Sequence, residues 1–346
     1  MNPGANPIPG LDTAAVRRWI ADHDADLTGT PAFTRIGLGQ SNLTYLVGDE
    51  AGHRWVLRRP PLGQLLASAH DVLRESRIMS ALAPTAVPVP AILAATTDSE
   101  VCEVPLVLMQ YVEGRVVDTM EIARSLTPGQ RGDIAGSLTR TLARIHAVDL
   151  DAVGLADLAG HKPYAQRQLK RWSRQWEQSR TRELPGIDDL TRRLGAAVPP
   201  QHETTLVHGD FHLRNVITAP DTGEIVAVLD WELSTLGDPL ADMGSLLAYW
   251  VEPGEDIGGD FPASALPGFP DRAEMARGYL DATGRDREAL TFWHVLGLWK
   301  LAIIAEGVMR RAADTPGNKA AAGTPTVERI DAIVDKAREI ATAAGM

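Results

Sequence analysis

The sequence predicts an α+β chain of two lobes. Residues 1–113 form a small antiparallel-sheet lobe with a loose tail at 1–10, and residues 114–346 form a larger, mostly helical lobe. Three observations predict this. Short β-rich runs split by glycine fill residues 33–59 and 105–114, the pattern of hairpins and a buried strand. From about residue 128 the apolar spacing becomes helical. Within the helical half, a β island at 205–217 and 225–231 holds "HGDFHLRN", with five hydrogen-bonding side chains in eight residues.

Composition bounds the rest. The chain has 346 residues, 44% hydrophobic and 23% charged, as expected of a globular protein of one large domain or two lobes. A single cysteine, Cys102, rules out an internal disulfide and a cysteine-rich metal site. It suits a reducing compartment, and the cytoplasm is the expected location. The N-terminal "MNPGANPIPGLD" lacks the basic-then-apolar pattern of a signal peptide. The apolar "FWHVLGLWKLAIIAEGV" is broken by His294, Lys300 and Glu306 and reads as too short and interrupted to span a bilayer. A net charge of -11 argues against nucleic acid as a partner.

In chain order, Asp12 looks like the cap of a first helix, "LDTAAVRRWIADH". "FTRIGLGQSNLTYLVGD" and "HRWVLRRPP" read as hairpin strands. Gly37 and Gly39, then Ser41 and Asn42, lie between two of them. Glycines let a backbone approach phosphates closely, although a plain hairpin turn has the same pattern. Residues 68–83 read as an amphipathic helix. Glu75 lies three after Val72 and four before Met79, so it points to the apolar face. A carboxylate there needs a cation. Arg58 on the preceding strand is the expected partner, with Arg59 second; a surface glutamate is the alternative. Residues 105–114 read as a buried strand. Helices follow at roughly 128–148, 162–182, 186–197, 239–250, 271–283, 287–313 and 325–343.

The spacing inside "HGDFHLRN" suggests chemistry. Phosphoryl transfer needs one side chain to orient a hydroxyl and another to hold a magnesium ion on the nucleotide phosphates. Asp210 and Asn215, five apart in a loop between short strands, suit those roles. The apolar run "IVAVLDWE" delivers Asp230 as a second hard oxygen ligand, which fits Mg²⁺. Two histidines four apart could instead bind zinc, but glycine and the flanking β runs argue against the helix this needs.

Taken together, "HGDFHLRN", "LDWE" and "GDPLAD" resemble the aminoglycoside phosphotransferase and choline kinase-like family, relatives of the protein kinases. The resemblance covers roughly residues 30–310 and implies a bilobal protein kinase-like fold. It implies ATP and Mg²⁺ as cofactors, Asp210 as catalytic base, and Asn215 and Asp230 as metal ligands. His208 would brace the loop, and Asp238 and Asp242 would cap a helix or brace the same loop. Arg58 sits where the family carries a lysine or arginine. Arginine keeps its charge and binds phosphate bidentately; a changed residue there is also a pseudokinase feature. The backbone of Gln110 and Val112 would face adenine.

The acceptor should be a small molecule with a hydroxyl. Arg167, Lys170, Arg171 and Arg174 fall on one helical face, which suits an anionic ligand; a solvated charged face has the same pattern. Trp293, His294 and Lys300 are further candidates for the acceptor side, on a pattern that also suits a buried helix. "VLRRPPLGQLLASAHDVLRESRIMSAL" and the "RQ…RW" helix are most similar to the kinase domains fused to acyl-CoA dehydrogenases, a branch associated with hydroxyacyl-CoA substrates. The rivals are an aminoglycoside kinase, for which Glu252, Glu255, Asp256 and Asp260 could supply carboxylates, and a nucleotide-binding pseudoenzyme.

Overall fold

The computed structural model describes residue 8 and residues 10–24, 26–37, 42–61, 71–160, 162–314 and 323–346. The chain divides into two compact units. One is Met1–Glu113 with Val226–Glu232; the other is Gly114–Ile225 with Leu233–Met346. The division expected at Gly114 thus gains a return segment. It is tied to the first unit by Val228 N donating to Pro88 O at 2.8 Å and Trp231 N donating to Glu75 Oε1 at 3.2 Å.

The first unit holds α1 (Thr13–His23), β1 (Ala32–Ile36), β2 (Leu43–Gly48), β3 (Arg54–Arg59), α2 (Val72–Leu82), β4 (Ile92–Thr96) and β5 (Leu106–Gln110). Its five strands pair antiparallel in the order β1-β2-β3-β5-β4. Asp12 caps α1 by accepting from Ala14 N at 2.9 Å. Strand parity sorts the side chains of β3. Trp55, Leu57 and Arg59 are buried in turn; Trp55 and Leu57 join Val16, Trp19 and Ile20 of α1 and Tyr45, Val47, Leu106 and Leu108 in one apolar cluster. Val56 and Arg58 face the other way. A slip of one residue would exchange the two faces.

The second unit begins with α3 (Met120–Ser125), α4 (Pro128–His146), α5 (Tyr164–Ser179) and α6 (Pro185–Ala196). Next come β6 (Thr205–Val207), β7 (Val216–Thr218), β8 (Ile225–Val228), whose last residues pass into the first unit, and β9 (Thr235–Gly237). It ends with α7 (Leu240–Tyr249), α8 (Arg272–Thr283), α9 (Arg287–Asp314) and α10 (Val327–Ala343). Local chemistry sets several ends. Thr127 and Gln130 form a capping box with Pro128 at the first turn of α4, and Gly284 ends α8 in the left-handed region at φ 67°. β6 pairs antiparallel with β9, Leu206 opposite Leu236. The sequence showed neither α3 nor β9; three residues of strand are too few for alternation to register.

α9 is the central helix of this unit, packed on α7, α10, α5 and α6. It runs 28 residues, one more than the helix expected at 287–313, and by length and composition it is long and apolar enough to cross a membrane, which corrects the expectation of a stretch too short to do so. Its most apolar 18-residue window is 78% buried inside the protein, which makes it a core helix. Buried side chains such as Trp299 and Leu298 each contribute about 1.5–3 kcal/mol. α7 and α9 approach closely because Gly244 has no side chain: a Cβ there would stand 2.4 Å from the Trp293 carbonyl.

Candidate active site

In the first unit, Arg58 Nε lies 3.0 Å from Glu75 Oε2, and Arg58 Nη2 lies 2.9 Å from Asp230 Oδ1. The Glu75 side chain is 2% exposed. Its other oxygen accepts from Trp231 N, so one carboxylate fixes both the cation and the peptide after Asp230. Arg59 lies on the opposite face, where its Nη2 meets Tyr45 Oη at 3.3 Å. Burial drives the Glu75 carboxyl up to about 7 against the pull of Arg58. Burial also opposes charge on Arg58, but Glu75 and Asp230 outweigh it and raise its affinity for the proton. Asp230 has φ 64°, the one positive φ at a non-glycine residue among those described. Such strain gathers at functional sites; here it turns the carboxylate toward Arg58.

Asn42 is buried and donates to Glu232 Oε2 at 3.4 Å. Gly37 has φ 78°. Gly39 and Ser41 lie outside the described residues. Gln110 N donates to Ala91 O at 2.8 Å, so the adenine contact expected of the Gln110 backbone falls to its carbonyl oxygen. Val112 lies beyond the end of β5.

In the second unit, the loop between β6 and β7 is held from beneath. Asp242 Oδ2 accepts from His208 N at 2.6 Å and Oδ1 from Gly209 N at 2.8 Å. Gly209 has φ 85°, and a Cβ there would stand 2.8 Å from Leu233 O, so both conformation and space require glycine. Asp210 N donates to His208 Nδ1 at 3.2 Å. Asn215 Nδ2 donates to Asp210 O at 2.8 Å and Oδ2 at 3.1 Å. With the amide nitrogen so committed, the Asn215 carbonyl oxygen is the atom that would face a cation. His212 Nε2 lies 3.5 Å from Asp210 Oδ2. Asp238, one residue before the Pro239 N-cap of α7, accepts from Leu240 N at 2.9 Å. Burial raises Asp238 to about 6.

Burial opposes ionisation of Asp210, but the charge and hydrogen bond of His212, with Lys300 and His208, hold its carboxyl well below the usual range. One contact of this carboxylate lies outside the motifs read from the sequence. The Tyr249 hydroxyl bonds it, and the Tyr249 ring lies 4.7 Å from that of His212, centroid to centroid. Asp242 and Tyr249 are seven apart on α7, and that spacing was the signal available. Lys300 Nζ donates to Gly209 O at 3.2 Å and sits 5.4 Å from the centre of the Trp172 ring. Arg171 lies over the same ring at 5.4 Å.

Other acceptor candidates fall away. Arg167 Nη2 is spent on Leu236 O at 2.6 Å, leaving Lys170, Arg171 and Arg174 as the exposed part of the basic face. Trp293 and His294 are 1% and 8% exposed, inside the core of α9 rather than on a substrate face. Glu252 and Glu255 are bound by Arg272, with Nη1 at 3.1 and 2.7 Å, so they form a structured knot and not a loose acidic loop. Burial, then Arg272 and Lys336, push His294 down to about 3. An unfolded imidazole titrates near 6.5, so this group contributes stability above that pH. That stability is lost as pH falls from 6.5 toward 3, at up to about 1.4 kcal/mol per pH unit. His294→Leu should flatten the pH dependence of the urea midpoint between pH 7 and 5; an unchanged slope would contradict the buried neutral state.

A five-stranded sheet carrying an Arg–Glu–Asp set and a helical unit carrying a His-Gly-Asp loop define a class, the phosphotransferases of kinase-like fold. Residues 32–293 match the phosphotransferase enzyme family known as APH, and the chain belongs to that family. It is 37% identical over 299 residues to mouse acyl-CoA dehydrogenase family member 10, covering 85% of this chain and 28% of the mouse protein. The chain therefore spans less than a third of that relative. A proposed aminoglycoside phosphotransferase from Ralstonia eutropha superposes with TM-score 0.75 at 31% identity, covering 96% of this chain and 97% of that one. A ternary complex of the phosphotransferase APH(4)-Ia with AMP-PNP and hygromycin B has TM-score 0.61 at 15% identity, covering 96% and 99%, and shares the fold.

Proposed function

We propose that the chain transfers the γ-phosphoryl group of ATP to a hydroxyl of a small, anionic acceptor of the hydroxyacyl-CoA class. The observation that carries this reading is the surroundings of Asp210. The ionised carboxylate is fixed by Asn215, His212 and Tyr249, and the cation beside it, Lys300, has Arg171 as a neighbour and sits over the Trp172 ring. An aminoglycoside is a polycation and would be repelled there. An acyl-CoA brings phosphates for the cations and an apolar chain.

Asp210 accepts the hydrogen bond of the acceptor hydroxyl and aims its oxygen at phosphorus. A carboxylate held this far below its usual range is a weak base, which suits a loose transition state that needs little proton transfer until late. Arg58, held by Glu75, grips the phosphates. Asn215 and Asp230 each offer a hard oxygen of the kind magnesium takes. They would be its ligands, and Mg²⁺ takes few protein ligands and keeps its waters. Bound there, it would neutralise charge on the phosphates.

The test is a coupled ADP-release assay with Mg²⁺-ATP across hydroxyacyl-CoAs, the free hydroxy acids and aminoglycosides. ADP release that requires a hydroxyacyl-CoA is expected. Release with aminoglycosides alone overturns the acceptor class; no release with any acceptor, despite ATP binding, favours a binding module.

A further inference from the structure

The second unit contains a run of polar groups that the phosphotransferase reading does not use. His146, at the end of α4, is 3% exposed, and its partner Asp242 is 1% exposed. His146 Nε2 lies 3.2 Å from Asp242 Oδ2, and His146 Nδ1 lies 2.6 Å from the Tyr279 hydroxyl on α8. Arg285 Nη1 donates to that hydroxyl at 3.2 Å. Arg285 Nε and Nη2 fork onto Glu203 at 2.6 and 3.0 Å, and the Glu203 side chain is 44% exposed. Asp238 faces this outer pair and has His202 beside it.

The direction of every bond follows from chemistry. Asp242 is ionised: burial opposes this, but His146, His208 and Gly209 hold it low. An ionised carboxylate only accepts. His146 Nε2 must therefore carry the proton. Burial keeps the ring neutral, outweighing Asp242, so Nδ1 must accept, and the Tyr279 hydroxyl must donate to it. The tyrosine oxygen is then the acceptor for Arg285. The chain runs one way, from Arg285 through Tyr279 and His146 to Asp242, whose two oxygens hold the His208 and Gly209 amides.

We propose that His146 is a positioning residue for the catalytic loop, fixed in its Nε2–H tautomer by a Tyr279–Arg285–Glu203 relay that ends at the surface. An Asp242 left to itself could rotate about its last torsion and release one amide. The third donor on Oδ2 pins the carboxylate plane, and that plane sets the peptide before Asp210. The bearing on turnover rests on Asp210 being the acceptor-orienting carboxylate; the relay itself does not.

The experiment uses the full chain and two variants. Tyr279→Phe keeps the ring and removes the donor to His146. Glu203→Gln weakens the outer fork. Nitrogen chemical shifts of the histidine rings should show His146 as the neutral Nε2–H tautomer in the wild type. Amide hydrogen exchange at His208 and Gly209 should speed about tenfold in Tyr279→Phe and less in Glu203→Gln, with α10 unchanged. Unchanged exchange at His208 and Gly209 in Tyr279→Phe, or an Nδ1–H or charged His146, overturns the relay. In the ADP-release assay kcat should fall in Tyr279→Phe, with the KM for ATP unchanged. A wild type that releases no ADP would count against the phosphotransferase reading alone, since exchange and tautomer are read without turnover.

Discussion

Asp210→Asn should lower kcat by roughly 10²- to 10⁴-fold while the fold and the KM for ATP stay close to wild type. The reason lies in what the carboxylate does. It is ionised at neutral pH, with one oxygen bound by Asn215 Nδ2. An asparagine amide has one acceptor oxygen and two donors, so it cannot satisfy Asn215, Tyr249 and an incoming hydroxyl together. The side chain is 27% exposed, so little packing is lost with the charge. Single-turnover phosphoryl transfer and far-ultraviolet circular dichroism are the two measurements. Wild-type turnover in the variant would end the assignment of Asp210; a collapsed spectrum would mean a structural role.

Glu75→Ala is the second large effect, and it falls on stability as well as on nucleotide binding. Removing one partner of a buried ion pair costs about 3–5 kcal/mol when the remaining charge is left unpaired; Arg58 keeps Asp230 at 2.9 Å, so the loss here should fall below that range. Here the loss also leaves Trp231 N without its acceptor. Glu75→Gln retains an oxygen for that amide and should cost less than half as much. Urea titrations of the three proteins give the comparison. Equal midpoints for Glu75→Ala and the wild type would show that the Arg58–Glu75 pair contributes nothing net. The affinity for ATP should drop in the same order, since Arg58 loses the group that aims it.

Much of the site was legible because it depends on local rules. Parity along β3 and helical phase along α2 were enough to point Arg58 and Glu75 at each other. The spacing of Asp210 and Asn215 needed only a short loop. The left-handed backbone of Asp230 was not legible, since nothing in "VLDWE" marks a positive φ. The misplacement of Trp293 and His294 has a plain cause. α9 is apolar nearly all round, so periodicity offers no privileged face and cannot separate a lining residue from a core one. Arg167 was misread for another reason: its partner is a backbone carbonyl on β9, a strand too short to predict. Long-range partners such as Tyr279 and His146 lie 133 positions apart, beyond any local pattern.

The return of Val226–Glu232 to the first unit has a consequence for biosynthesis. A ribosome that has just finished Glu113 has made most of this unit but not the segment Val226–Glu232 that supplies Asp230 and the Trp231 amide. A further 119 residues, from Glu113 to Glu232, must be translated before it can close. At about 5–20 residues per second this is a wait of roughly 6–24 s. During it, Glu75 has neither its peptide donor nor the aspartate that shares its arginine, so the nascent first unit is exposed to chaperones in an unfinished form.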